Sequence, residues 1–458
     1  MTAERTLLRR LGLLGVVFFG VSYMAPAVVN TTFGVVSQLS GGAAPMAYAV
    51  ATVAILPTAV AYAVLARNFP TAGSSYTYVN ETLGRVFGFF TGWVILLDYL
   101  FLPMVVWLLQ AIYLNAQFPG IPVWVWLLLN GAATTAINLL GIVLADRVNT
   151  WLTVASILAT AGTVVVIGIF LGGHSAEPGA PGPLWNDQAS WGTIGAAAAV
   201  AAYSFLGFDA ISTLSEETRN ARRNIPLGIM LTVVIGGIIF ITVSLLMQLL
   251  HPGGQFDNAD TAGYTLLAVA GGNTYANITN LVFVVASFGS GLAIQATSSR
   301  LMFVMGRDGV LPRETFGRLS RAFRVPWINI LIIAAVGLIG LFLTLESSTA
   351  LINFGAFLAF AMVNLAFLAW LWRPGRPDLA TGTRVLLSVL PIAGAAVDLY
   401  LFANLHVQAY LVGGSWLVLG IGCLAFVTKG FRRPVPRLGS ETGETGESPS
   451  RIGEVEKS

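Results

Sequence analysis

Residues 192–218 read GTIGAAAAVAAYSFLGFDAISTLSEET. The run 192–203 is apolar enough to enter a lipid bilayer, yet the segment stops at a Gly-Phe-Asp with a carboxylate at hydrocarbon depth. An acid there costs a few kcal/mol or more unless something pairs with it or hydrates it. Backbone can leave the helix inside a membrane only where protein or a water-lined cavity receives it. The stretch therefore reads as a membrane helix interrupted at a site.

Only 10% of the 458 residues are charged and 56% are hydrophobic, with a mean hydropathy of +0.78. Soluble domains carry about 25% charged residues, so the composition excludes a soluble protein with a large core. Apolar runs of about 20 residues between short polar loops define a polytopic helical membrane protein. The alternating segments of about 10 residues that mark a transmembrane β-barrel are missing. Twelve spans are expected, at 13–38, 44–66, 86–115, 122–144, 150–172, 192–214, 227–250, 276–303, 327–345, 348–371, 383–404 and 408–428. The first has basic flanks (Arg5, Arg9, Arg10), but no short apolar core with a small-residue cleavage site follows, so it is read as a helix and not as a signal peptide.

Charge sets the orientation. With the N-terminus in the cytoplasm, all 24 Lys and Arg fall on one side, from Arg5 through Arg67, Arg85, Arg147, Arg219 and Arg300 to Lys429 and beyond. The opposite loops hold Glu177, Asp187, Asp257, Asp260 and Glu346, and no base. By the positive-inside rule both termini are expected in the cytoplasm of a multi-pass plasma-membrane protein. The pI near 9.1 is thereby explained without a nucleic-acid partner. Cys423 is alone, and His174, His251 and His406 lie in or beside outward loops. No disulfide, metal site or cofactor is expected.

The loop GGHSAEPGAPGPLWNDQASW (172–191) divides the spans, giving a cytoplasmic N-terminus at 1–12, a five-helix unit at 13–172, an outer loop at 173–191 and a second five-helix unit at 192–372. Two further helices fill 383–428, and the Gly/Ser/Glu-rich tail 429–458 has a disordered composition. Spans 1 and 6 look alike. FFGVSYMAPAVV (18–29) and SFLGFDAISTL (204–214) each place an aromatic and a glycine midway, followed by polar or helix-breaking residues. Pro26 removes a backbone donor and Gly207 loosens the helix. Matching interruptions in two halves suggest an inverted repeat around a midplane site. Gly and Pro are also common in membrane helices generally, and the two segments alone leave both readings open.

Only three acids lie well inside spans: Asp98, Asp209 and Asp398. Asp209 is either a partner of a substrate or coupling ion, or a capping carboxylate that accepts nearby backbone N–H groups. Asp98, in GWVILLDYLFLP (92–103), has no basic residue in any span to neutralise it, so it is hydrated, protonated or paired with something that arrives. Asp398 lies in span 11, where a structural role is favoured. Glu216 and Glu217 follow span 6 beside Arg219, Arg222 and Arg223; Glu216 reads as an interfacial charge and Glu217 as the better candidate for an inner gate or proton site. Tyr23, Phe205 and Phe208 flank the breaks, and Tyr99 and Trp107 share span 3 with Asp98. Aromatic faces and helix C-terminal dipoles both favour a cation. Together with the unpaired acids they point to a cationic amine.

These motifs resemble the amino acid–polyamine–organocation permeases, and among them the putrescine-importer branch. The matching stretches are GVSYMAPAVVNTTFGVVSQLSGG (20–42), FPTAGSSYTYVNETLGRVFGFFTGWVILLDYLFLP (69–103), SFLGFDAISTLSEET (204–218) and ATSSRLMFVMGRDGVLP (296–312). The resemblance implies a five-plus-five inverted repeat (LeuT-like) with spans 1 and 6 unwound midway, plus two further helices. It also implies alternating access and, usually, proton-driven import of amines or amino acids. It places Ser22, Tyr23, Met24, Ala25, Phe205, Gly207, Phe208 and Asp209 at the substrate, with Tyr99 facing them, and makes PTAGSSYTY (70–78) an inner loop. Where many amino-acid permeases have a GSGIF-like break, this chain has SYMAPA, which suits a substrate that is all amine. Span 5 lacks the lysine some members carry; hydroxyls of Thr297, Ser298 and Ser299 in span 8 could serve a sodium, so proton or sodium coupling stays open. The expectation is an importer of putrescine or a related amine; an amino-acid permease of the same fold is the alternative. A membrane enzyme is not expected.

Overall fold

A computed structural model describes residues 11–69, 75–141, 146–174, 179–307, 309, 311–373, 380–430 and 432, with the side chains of 146–149 and 216 outside that description. Arg5, Arg9 and Arg10, Glu177, the Pro70–Ser74 part of the expected inner loop and the tail from 433 therefore lie outside the described residues, as does the side chain of Glu216.

The regular elements among the described residues are helices: α1 (Leu13–Met24), α2 (Val28–Leu39), α3 (Ala44–Asn68), α4 (Ser75–Leu83), α5 (Arg85–Gln117), α6 (Val123–Leu139), α7 (Asp146–Gly172), α8 (Trp191–Ala201), α9 (Ala221–Leu250), α10 (Ala262–Arg307), α11 (Arg313–Phe316), α12 (Trp327–Gly337), α13 (Leu345–Leu371), α14 (Thr381–Ala403) and α15 (Val407–Val427). Hydrocarbon offers no hydrogen-bonding solvent, so a long apolar run must close its backbone bonds within itself. Among the described residues nine helical segments are long and apolar enough to cross a membrane, and the bent pair α1–α2 makes a tenth. Helix α6 and the segment Trp327–Phe342 are apolar but shorter.

Burial sorts these helices into a centre and a rim. In an 18-residue apolar stretch of each, 89% of the residues are buried in Trp191–Ser215 and 83% in α5, against 17% in α15 and 22% in α7. Helix α5 has 33 residues; at 1.5 Å per residue it runs about 50 Å and overshoots a hydrocarbon core of about 30 Å. The rim helix α15 is fastened to it by two tryptophans. Trp93 and Trp416 stack at 4.8 Å, and each indole N–H donates to the other's carbonyl at 2.8 Å. Both indoles are thereby satisfied in a setting without water.

Several boundaries differ from the sequence reading. Span 1 is two helices meeting at 49°. Span 4 ends at Leu139, not 144, and span 7 starts at Ala221, not 227. Span 8 reaches back to Ala262 because a short outer helix joins it across Gly272, whose φ of 79° and ψ of 165° are not helical. Part of the expected inner loop is the helix α4, which lies against α5 and α13. Its Tyr78 is buried edge-on to Tyr62, so the loop's polar sequence hides an inward face.

Two contacts frame the interrupted span. Near the chain start, Leu11 pairs with Thr218 in an isolated parallel bridge: Leu11 N–H donates to Glu217 O at 3.1 Å and Arg219 N–H to Leu11 O at 2.8 Å. At its far end, α2 presses on the turn before α10. A Cβ on Gly34 would overlap the carbonyl of Ala259 and come 2.6 Å from Ala262 Cβ. Tyr113 on α5 adds a hydrogen bond to Asn30 O at 2.8 Å. Gly34→Val should cost about 1–3 kcal/mol through overpacking, read as a lower thermal unfolding midpoint in detergent. Gly414→Ala, where no atom lies within 4 Å of the new Cβ, should leave the midpoint in place.

Candidate functional site

The site is built where two helices end early. Helix α1 stops at Met24 because Ala25 takes the left-handed conformation (φ 48°, ψ 85°) and Pro26 has no N–H to continue the ladder. The released amides are used locally: Ala25 N–H donates to Ser22 O at 3.2 Å and Val28 N–H to Ala25 O at 2.8 Å. Ser22 Oγ bonds Thr153 Oγ1 on α7 at 2.7 Å, tying the end of α1 to a neighbouring helix.

The second break is more extensive. Helix α8 begins with a capping box, Ser190 with Thr193, and ends at Ala201. The chain continues as 3-10 turns at Ala202–Phe205 and Asp209–Glu216. Between them Gly207 has φ 109°, a conformation closed to most L-residues. Its lack of a side chain is also required by packing, since a Cβ there would overlap the Tyr23 ring. The two breaks therefore touch, with the aromatic of the first lying on the glycine of the second.

Asp209 sits at the head of the second 3-10 turn. Its Oδ1 accepts from Gly207 N–H at 3.3 Å, while Ala210 N–H donates to Gly207 O at 3.2 Å. The bond to Gly207 holds the carboxylate at the junction. Asp98 is different. It reaches the same region from α5, and its Oδ1 is buried with no hydrogen-bond partner. Asp98, Asp209, Tyr23 and Tyr99 lie within electrostatic range of one another, so four of the expected residues form one cluster. Two acids close together without a base create a local demand for positive charge.

A cavity of about 60 Å³ opens beside this cluster, lined by Tyr23, Met24 and Ala25 from the first break and Tyr203 and Leu206 from the second. Ser287 and Ser290 of α10 face it from the other side. Helices α1 and α8 end beside this space, and a helix C-terminus carries partial negative charge.

The other expected residues are placed elsewhere. Phe205 and Phe208 are fully buried. Phe205 stands edge-on to Phe240 at 5.1 Å, and Phe208 meets Tyr62 at 5.5 Å and Phe360 at 5.2 Å. Their rings back the break; they do not line the cavity. Trp107 is packed into helix contacts beside Gly131 and Gly337. Ser298 donates to Tyr99 O at 2.7 Å and lies 2.8 Å from Ile294 O, fixing α10 against α5. Ser299 is buried and bonded to Ala296 O, whereas Thr297 is exposed on the opposite face. Glu217 is partly buried next to the Leu11 bridge, away from the cavity. Asp398 is fully buried and accepts from Thr58 and Asn364, a structural role.

Sequence reasoning missed Tyr203, Thr153, Ser287 and Ser290. Tyr203 stands one residue before the quoted motif and had a signal, an aromatic at the end of a polyalanine run. The hydroxyl residues had none, because such side chains occur throughout membrane helices bonded to their own backbone.

A bundle of apolar helices, two of them interrupted beside a shared cavity with two acids near it, has the form of a membrane permease. The profile of the amino acid permease family matches residues 15–380, and the chain belongs to that family. It is 38% identical to the low-affinity putrescine importer PlaP of Escherichia coli strain K12, covering 95% of this chain and 97% of that protein. Over 92% of this chain and 93% of the relative it is 26% identical to the branched-chain amino acid permease BcaP of Bacillus subtilis strain 168. The methylthioribose transporter of the same organism is also 26% identical, with 91% and 93% covered. The chain is thus a multi-pass membrane transporter, and its family and these relatives are carriers, not enzymes.

The contact between the breaks gives a direct check. Gly207→Ala introduces both left-handed strain, about 1–2 kcal/mol for an L-residue, and a clash with Tyr23. Uptake should fall to background while folded protein is still recovered.

Proposed function

We propose that this protein is a secondary active importer of putrescine or a related small amine, working by alternating access and coupled to protons. The observation that carries the reading is Asp98: a carboxylate oxygen buried without a partner, near a second acid and two tyrosine rings. An ammonium would supply the missing donor, gain from both charges and lie against aromatic faces. The likeness to a putrescine importer supports the same substrate class.

In this reading Asp98 and Asp209 are the negative poles, Tyr23 and Tyr99 the aromatic walls, and Ser22, Met24, Ala25 and Gly207 the backbone frame of the site. Phe205 and Phe208 act from behind it. Counting α6 and Trp327–Phe342 with the ten longer spans gives twelve, arranged as two five-helix units at 13–172 and 192–372 plus helices at 383–428. The units form an inverted repeat, with both termini in the cytoplasm of the plasma membrane. Ion coupling rests on the two acids and Ser298, with Glu217 as an inner gate. Thr297 faces the wrong way to join them in this conformation.

The alternative, an amino-acid permease, needs amides free to cradle an α-carboxylate. At the first break the Ala25 and Val28 amides are engaged and Pro26 has none, which leaves the Ala27 and Val29 amides at the start of α2. The amine reading rests on the acids.

Reconstituted into liposomes with an alkaline interior and no sodium, the protein should accumulate labelled putrescine above equilibrium, and a protonophore should abolish this. Asp98→Asn should lower uptake at least about tenfold, the 1.4 kcal/mol equivalent of one charge-assisted bond. Asp209→Asn should lower it too. Uptake left intact by both substitutions refutes the assignment, and accumulation of leucine in place of putrescine supports the amino-acid reading.

A further inference from the structure

Asp398 belongs to a polar cluster outside the cavity that transport, as described so far, does not use. It joins three helices: Asp398 on α14, Thr58 on α3 and Asn364 on α13, all fully buried. Thr58 Oγ1 donates to Asp398 Oδ2 at 3.0 Å, and Asn364 Nδ2 reaches the same oxygen at 2.9 Å and Thr58 Oγ1 at 2.7 Å. Gly394, one turn before Asp398, leaves room for the amide, since a Cβ there would come 2.6 Å from Asn364 Oδ1. Both donors go to one carboxylate oxygen, and Asp398 Oδ1 and Asn364 Oδ1 are buried without a partner; with no water to compete, the bonds that are made hold tightly.

The neighbours of this cluster along each helix lead to the second break. One turn beyond Thr58 on α3 is Tyr62, and one turn before Asn364 on α13 is Phe360, whose carbonyl also accepts from Asn364 Nδ2 at 3.2 Å. Tyr62 and Phe360 meet edge-on at 6.0 Å. Both rings seat Phe208, at 5.5 Å and 5.2 Å. Phe208 lies between Gly207 and Asp209, so its seat sets where the unwound segment presents its carboxylate.

We infer that Asp398 is a positioning residue: as a hydrogen-bond acceptor it locks α3, α13 and α14 together and thereby holds the Tyr62–Phe360 seat under Phe208 and the second break. The role needs an acceptor oxygen and no charge, since both partners are neutral donors. Asparagine can fill it; an aliphatic side chain of similar size cannot.

Uptake of labelled putrescine, with labelled leucine in parallel, is measured per amount of folded protein in liposomes for Asp398→Asn, Asp398→Leu, Phe208→Leu and the pair Asp398→Leu/Phe208→Leu. Whichever compound the unaltered protein accumulates serves as the probe, so the choice of substrate does not decide the outcome. Asp398→Asn should keep KM and Vmax. Asp398→Leu should raise KM several-fold with the same yield of folded protein, and the pair should be no worse than the worse single change, as expected for residues acting through one contact chain. Loss of uptake in Asp398→Asn would overturn the inference by showing that the charge or its proton is used. So would an Asp398→Leu protein whose yield falls with KM unchanged, or a pair whose effects add. Should Asp398→Leu not fold, Thr58→Val removes one donor to the same oxygen, and its KM is read in the same way.

Discussion

A peptide group in hydrocarbon has nothing to bond to but protein, and an unsatisfied one costs several kcal/mol. Everything about this chain follows from where that rule is met and where it is suspended. Most of the chain obeys it by forming continuous helices. Two segments do not, and both must be screened from lipid. The span holding the second break is accordingly the most buried, and α5, which passes beside both, is nearly as enclosed. The less buried helices at the rim, α7, α14 and α15, are the wall that makes an unwound segment tolerable.

Once backbone is freed in this way, its polarity is available for use. Each break closes part of its own need: Ala25 and Val28 amides fold back on the chain, and Asp209 receives the amide of Gly207. Beside the breaks stand two acids, one of them with an oxygen unanswered. Under the proposed reading, a cationic guest supplies the donor that this oxygen lacks.

Much of this was legible in the sequence because the signals were chemical. Pro26 and Gly207 are helix breakers in apolar runs, and Asp98 and Asp209 are acids where no base exists, so the breaks and the acids stood out. Quantities set by geometry did not. Thr297 and Ser298 are adjacent hydroxyls, yet rotation of about 100° per residue sends one outward and the other onto Tyr99 O. Phe205 and Phe208 flank the break in sequence but point into the protein, since a 3-10 turn aims side chains differently from the helix that precedes it. Tyr78 and its helix α4 were hidden in a polar stretch. Asp398 was recognised as structural, but its partners, 340 and 34 residues away, could not be read from spacing.

The pairing of Leu11 with Thr218 bears on how the inner ends of the two interrupted spans behave. Two backbone bonds join a residue just before α1 to the residues just after the second break. Each such bond is worth about 0.5–1.5 kcal/mol net, because water can replace it at a membrane face. A link of that strength is a clasp, not a weld. While shut, it couples the segment before α1 to the segment after the second break; a few multiples of thermal energy release it, so thermal motion alone can work the fastening without touching the bonds deeper in the bundle.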